Sequence, residues 1–313
     1  VYRFDTPQDW TAHGIKSLSL WFRGLEGNGG RLYVKVNSTK VSYDDDAAGL
    51  AQLMWQVWNV DLSQAGNLKS VRSLTIGVEG AGTKGTLYLD DVQLYAQTPE
   101  YIIPVPPAET GLLVWWSLNE GQGTVAVDRS GHGRDGAFTS APQWVEGYDG
   151  TALNFDDVDD SVIYRFADET WSAYTLTVWA KADVLSQANN SSICSTYGTA
   201  TTNGFQLSFN ASNSYQYHAG VDQIFGPASL EWVHLAVTYD GRVATAYYGG
   251  VPVATFTPAP ADLLANKYAI GVNRAEDNWF DGTIDDFRVY NRALTAAEVA
   301  GLAGFTKPLH KPF

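Results

Sequence analysis

The chain has 313 residues, 45% of them apolar and 17% charged, with a formal charge of -14. That composition supplies packed cores and excludes wholesale disorder, and at about 100 to 200 residues per domain the length points to two domains. The acidic balance argues against nucleic acid and anionic membranes, where Lys and Arg must neutralise phosphate, and apolar runs such as LLVWWSL (112–118) fall short of the roughly 20 residues that span a bilayer.

VYRFDTPQDW opens in mid-pattern, as though an earlier strand had been removed, and it carries no basic and apolar leader. The expectation is a piece of a longer protein. The segments KSLSLWFRG (16–24), RLYVKVNST (31–39) and SLTIGVEG (73–80) then alternate apolar and polar residues between Gly, Asn and Asp clusters, which is the pattern of a β-sandwich. GTLYLDDVQLY (85–95) closes a first domain over residues 1–96. In the following stretch, 97–110, Pro104, Pro106 and Pro107 remove backbone donors and favour extended chain, so a semi-rigid linker is predicted.

A second domain is predicted over 111–313, with strands at YTLTVWAKA (174–182), GFQLSFN (204–210) and EWVHLAVTYD (231–240). RVATAYYGGVPVATF (242–256) reads as a hairpin turning on Gly249-Gly250, which adopt positive φ without strain. Cys194 is the single cysteine and is expected to be a buried free thiol. In ALTAAEVAG (293–301), Thr295 and Glu298 form a capping box and Leu294 pairs with Val299 as a hydrophobic staple, so one short closing helix is predicted. The fold class is therefore all-β: two tandem antiparallel β-sandwich jelly rolls with a short C-terminal helix.

GTIDDFRVYNR (282–292) nearly repeats GTLYLDDVQLY, each with Asp-Asp inside an apolar strand. Strict alternation puts Asp285 with Phe287 and Val289 on one face, and Ile284, Asp286, Arg288 and Tyr290 on the other. An inward carboxylate needs hydrogen-bond donors or a cation. A cluster of backbone amides, a buried Arg and calcium all satisfy that need.

LVWWSLNEGQGTVAVDRSGHGRDG, GTALNFDDVDDSV, TLTVWAKA, EWVHLAVTYDG and FDGTIDDFRVYNRALTAAEV occur in this order from about Leu112 onward. Together they resemble the laminin G-like, concanavalin A-like jelly rolls of large secreted bacterial proteins. Asp157 stands where that family usually has Gly, and Gly249 where an acidic or amide residue is common. LSLWFRG and GTLYLDDVQLY resemble, less specifically, the carbohydrate-binding β-sandwich modules that accompany such domains. The resemblance implies a structural calcium site bringing VDRSGHGRDG (127–136) near the last strand, with Asp128 and Asp285 as ligands, and by the same logic Asp90 in the first domain. The acidic stretches Tyr43 to Gly49 and 156–160 are alternative sites, each read by default as a solvated loop.

The E-x-D-x-x-E pattern of laminarinase-type enzymes, with acids at even spacing on a strand, does not occur; the closest cluster, Glu146 and Asp149, has odd spacing in a turn-rich segment. Nucleophile-elbow, zinc and phosphate-loop motifs are also missing, and His234 reads as a satisfied strand histidine. The chain is thus expected to be non-catalytic. Its 11 Trp and 17 Tyr supply faces for stacking on sugars, although the strand tryptophans are expected to be core. Trp279 differs by lying in a polar loop beside Asn278 and Asp277, and Tyr215 and Tyr217 in NASNSYQYHAG form a comparable candidate. The expected function is a secreted, extracellular binding module for a polysaccharide or glycoprotein surface. The rivals are a structural subunit that assembles with itself through sheet edges, and a glycoside hydrolase with an unfamiliar site.

Overall fold

The computed structural model describes residues 1–43, 47–53, 55–196, 204–258 and 263–313. The three aspartates of the acidic stretch Tyr43 to Gly49, Asp44, Asp45 and Asp46, lie outside them. Two compact units are present: Val1–Ile102 with Pro308–Phe313, and Ile103–Lys307. Residues 308–313, expected at the end of the second domain, thus belong to the first unit.

The first unit contains β1 (Tyr2–Gln8), β2 (Ser17–Arg23), β3 (Gly29–Val36), β4 (Thr39–Ser42), β5 (Gln56–Asp61), β6 (Val71–Lys84), β7 (Tyr88–Tyr95) and β8 (Tyr101–Ile102). They form antiparallel sheets in the orders β1-β6-β3-β4 and β5-β2-β7. The alternation read in the sequence has its expected effect: Leu18, Leu20 and Phe22 of β2 and Leu32, Val34 and Val36 of β3 are buried in one core.

The second unit begins with β9 (Leu112–Trp116), β10 (Val125–Ala126), β11 (Gly136–Thr139), β12 (Gln143–Glu146), β13 (Thr151–Asp156), β14 (Ser161–Trp171) and β15 (Tyr174–Ala182). It continues through β16 (Ser192–Ser195), β17 (Gln206–Phe209), β18 (Ser214–His218), β19 (Asp222–Pro227) and β20 (Val233–Tyr239). The remaining elements are β21 (Ala244–Tyr248), β22 (Val251–Phe256), β23 (Leu263–Ile270), β24 (Asp281–Tyr290) and α1 (Ala296–Leu302). A last strand, β25 (Leu309–His310), pairs with β8 in the first unit. The two large sheets run β10-β11-β14-β23-β16-β17-β18-β19 and β12-β13-β24-β15-β20-β21-β22, with β9 added to β24. Gly249 and Gly250 make the turn between β21 and β22 at φ 60° and 80°. Asp157 has φ 61°, which explains why glycine suits that position.

The second of these sheets is covered on both faces. Thr175 and Trp179 of β15 point away from the inter-sheet core yet are buried. One cover is α1, capped by Thr295 and Glu298 as expected and packed through Val299 with Leu112, Ala236, Tyr247, Tyr290 and Leu294. The other is the proline-rich segment predicted to be a linker, which lies along α1. Val105 N–H donates to Ala297 O at 3.0 Å, and the Arg292 guanidinium ties Glu298 to the carbonyls of Ala108 and Thr110. A Cβ on Gly301 would come within 2.2 Å of Val105 O, so only glycine admits this approach.

Both Asp-Asp pairs are β-bulges. In β24, Trp179 faces Asp285 but Thr177 faces Arg288, so Asp286 and Phe287 together oppose Val178. In β7, Trp21 faces Asp90 and Ser19 faces Gln93, the same offset. The second aspartate is left-handed each time, at φ 48° in Asp286 and 46° in Asp91, a conformation that aspartate tolerates and β-branched residues do not. The extra residue corrects the expected alternation. Ile284, Phe287 and Val289 all enter the core, while Asp285, Asp286 and Arg288 face the opposite side.

Asp91→Gly is expected to leave stability within about 0.5 kcal/mol, whereas Asp91→Val should cost about 1–2 kcal/mol. The urea unfolding midpoint measures both, and a neutral valine would show that the bulge does not need a left-handed residue.

Candidate functional site

The bulge and the two covers leave a cleft of about 560 Å³ on the outer face of the β24-β15 sheet, entirely within the second unit. Its floor is β24 and β15, through Asp285, Asp286, Arg288 and Trp179. Trp115 of β9 and the turn carrying Tyr148 and Asp149 form its sides, and the proline segment and residues 301–306 form its rim. Trp115, expected to be core, is half-buried here, and Trp179 is buried as expected but beneath Tyr148, because strand residues facing away from the inter-sheet core meet the cleft.

Asp286 Oδ1 accepts from Trp115 Nε1 at 2.6 Å and from Arg288 Nε and Nη2 at 3.1 and 3.0 Å. The guanidinium lies 4.1 Å from the centre of the Trp115 ring, so charge pairing and cation–π contact hold Arg288 in one pose. Tyr148 stacks on Trp179 with centroids 3.5 Å apart at 14°, leaving its other face outward.

Asp285 is 1% exposed. Its Oδ2 accepts from Asp149 N–H at 3.1 Å, which anchors the 147–150 turn on β24. Its Oδ1 has no hydrogen-bond partner among the described residues. Burial, helped by the neighbouring Asp286 charge, pushes this carboxyl up to about 7 against the opposing backbone N–H groups. His234, paired across from Trp179, differs from the satisfied histidine expected. Its Nδ1 is buried without a partner among the described residues, and burial together with the Arg288 charge lowers its pKa to about 3.

The expected ligand residues are placed elsewhere. Tyr215 and Tyr217 are fully buried; Tyr217 shares a hydroxyl contact with Tyr174 at 2.6 Å, and the Tyr215 hydroxyl accepts from Ser229 N–H at 3.2 Å. They serve the inter-sheet core, which corrects their assignment as ligand residues: both face inward from β18, and the apolar space between the sheets admits a ring whose hydroxyl is bonded. Trp279 is half-buried at the base of a small loop, bridged to Val272. Asp277 there accepts from Asn273 and Asn278, so these polar groups hold the loop itself.

The expected calcium ligands do not fit a shared cation. Asp128 Oδ1 accepts from Trp115 and Ser130 N–H, and Oδ2 from the Ser130 hydroxyl and Arg134 N–H. Burial works to raise this carboxyl, but those donors outweigh it and hold its pKa below the ordinary value. With its acceptor directions committed to N–H and O–H, Asp128 lacks the free oxygens calcium requires. Asp285 meets N–H donors from a different turn, and Asp90 is exposed and accepts from Asp91 N–H at 2.9 Å. Carboxylate oxygens do gather on the 156–160 loop, where those of Asp156, Asp159 and Asp160 lie within 4.8 Å of one another. Burial first, then neighbouring carboxylates, raises the pKa of Asp157 and Asp281 nearby.

Sequence reasoning missed the cleft because it assumed strict alternation. Apolar residues at 284, 287 and 289, and again at 89, 92 and 94, are spaced three and then two apart, which is the mark of an inserted residue.

Residues 156–300 match the laminin G family model described as the Concanavalin A-like lectin/glucanases superfamily. No curated protein matches the chain in sequence. Domain 4 of a GH43 extracellular arabinanase from Geobacillus stearothermophilus, solved in complex with arabinotriose, is similar at TM-score 0.51 and 20% identity, covering 63% of this chain and 100% of that one. A Trypanosoma rangeli sialidase in complex with 2,3-difluorosialic acid gives TM-score 0.48 at 20% identity, covering 64% of this chain and 35% of that one. The binding domain of botulinum neurotoxin serotype G gives 0.49 at 15%, covering 62% and 50%. At 20% identity the likeness to the arabinanase domain is one of fold alone.

The two unusual pKa values oppose each other. Between about pH 4 and 7 folded Asp285 keeps a proton that the unfolded chain has lost, so its contribution to stability falls as pH rises. Between about pH 6.5 and 3 unfolded His234 takes a proton that the folded chain refuses, so its contribution falls as pH drops. Asp285→Asn should therefore make stability rise more steeply from pH 4 to 6.5, and His234→Gln should make it decline over that window. Each slope should differ from wild type by up to about 1.4 kcal/mol per pH unit in urea titrations; unchanged slopes would mean both groups titrate normally. Calcium chelation is expected to leave the melting temperature unchanged, and a fall of several degrees would place a bound cation in the fold.

Proposed function

We propose that the second unit is a non-catalytic carbohydrate-binding module whose ligand lies in the outer cleft. The observation that carries this is the convergence there of aromatic surface, from Trp115 and from Tyr148 backed by the buried Trp179, with fixed polar groups, from Asp285, Asp286 and Arg288. Sugars need that combination, because apolar C–H faces pack on rings while hydroxyls take oriented hydrogen bonds. The volume lies within the range of small-ligand sites. The fold it shares with an arabinanase domain solved with arabinotriose agrees with a saccharide ligand. Asp286 is occupied by Trp115 and Arg288, so it is poorly placed to serve Asp285 as the second carboxylate of a hydrolase, which supports binding without cleavage. The reading includes an extracellular setting and a polysaccharide or glycoprotein surface as partner.

A second reading, self-assembly through a sheet edge, is favoured by β7. Leu89, Val92 and Leu94 occupy the bulge positions of Ile284, Phe287 and Val289, yet they are 42%, 44% and 38% exposed where their counterparts are fully buried. β7 is also an edge strand among the described residues, and such edges invite a further strand.

One experiment separates the readings: a polysaccharide and glycan panel screened with the whole chain, with light scattering on the same sample. Binding should weaken by about tenfold or more in Tyr148→Ala, about 1.4 kcal/mol, and stay within twofold in Trp279→Ala, with no product released. Loss of binding in Trp279→Ala alone would move the site to that loop. A large assembly that Val92→Lys disperses, with no glycan bound, would favour the second reading.

A further inference from the structure

Among the described residues, three buried polar atoms lack a hydrogen-bond partner on this one sheet face: Thr177 Oγ1, His234 Nδ1 and Asp285 Oδ1. Register places them together. Trp179 pairs directly with His234 on one side and Asp285 on the other, and Thr177 precedes it by two residues on the same face. Leaving such atoms unpaired is costly, and most costly for a carboxylate. The Asp285 Oδ1 belongs to a residue that lines the cleft.

Charge is unbalanced in the same place. Asp149, Asp285 and Asp286 line the cleft with Arg288 as the one guanidinium. Arg288 is already committed to Asp286 and to the Trp115 ring. The proline segment and residues 301–306 contribute no titratable side chain to the lining. Among the residues that line the cleft no uncommitted positive charge is left for Asp285, Lys181 on the same face of β15 lying over the Trp232 ring, and the rings of Tyr148 and Trp179 next to Asp285 favour a cation over an anion.

We propose that the cleft selects a saccharide bearing a free amine, an amino sugar whose ammonium donates to Asp285 Oδ1. This rests on the carbohydrate reading above and specifies its ligand class. Uronic and other acidic sugars are disfavoured by the same carboxylates. The proton balance follows from the groups facing Asp285. Asp149 and Tyr148 face it from the turn, Asp286 and Arg288 along its own strand, and neutral His234 from beyond Trp179. Below neutrality the free site holds Asp285 protonated, so an ammonium ligand forms its ion pair by driving that proton into solvent.

The test is calorimetry of the whole chain with an unbranched glucosamine oligosaccharide, its fully N-acetylated counterpart and a galacturonate oligosaccharide. Titrations at about pH 6, in buffers of different ionisation enthalpy, read proton release. The free-amine oligomer is expected to bind about tenfold or more tighter than the acetylated one, with net proton release, and the galacturonate least. Asp285→Asn should erase both the preference and the release while keeping its acceptor for Asp149 N–H. Equal affinities, or a preference that survives Asp285→Asn, would overturn the amine inference and leave the carbohydrate reading standing. No binding of any of the three, with none in the wider panel, would overturn both. If Asp285→Asn fails to fold, wild-type proton release decides alone: its absence overturns the proposal.

Discussion

One inserted residue in β24 decides what the second unit can do. Without the bulge at Asp286, strict alternation would send Asp285 into the space between the sheets beside Phe287 and Val289, where a carboxylate has no donors. With it, Ile284, Phe287 and Val289 fill the core, and Asp285, Asp286 and Arg288 all turn to the other face. The bulge depends on a residue that accepts a left-handed backbone, and aspartate supplies this together with an acceptor that Trp115 and Arg288 use.

The face so created becomes a cleft because it is only partly covered. Helix α1, fixed by its capping box and the Arg292 ties, covers one part, and the proline segment lies over another through contact with Ala297 and Gly301. What stays open is the space beside Trp115 and Tyr148, with Trp179 and Asp285 buried in its floor and His234 buried beyond Trp179. Burial without pairing then makes a histidine that resists protonation and a carboxyl that retains its proton, two perturbations with one cause. A perturbed carboxyl in the floor of a cleft is characteristic of functional sites.

The first unit holds a control for this argument. β7 repeats the bulge with the same offset and the same left-handed aspartate. There no strand equivalent to β9 pairs with the bulged strand among the described residues, and Leu89, Val92 and Leu94 remain exposed. The bulge alone thus sets orientation; burial and the cleft need the neighbouring elements.

The sequence by itself determined the all-β class, the Gly249-Gly250 hairpin, the capped helix at 296–302 and the buried thiol of Cys194, because each depends on local spacing, turn conformation or simple apolarity. It also marked the Asp-Asp pairs as unusual, and their three-then-two apolar spacing carried the bulge in plain view. Only the tertiary structure decided which tyrosines are core, since Tyr215 and Tyr217 look from sequence as available as Tyr148. Only it brought Trp115, Tyr148, Trp179 and Asp285 together, from four segments spread over 171 residues between Trp115 and Asp286. The physical reason is that a strand's pattern records the difference between its two faces, and a face covered by distant chain leaves no period to read.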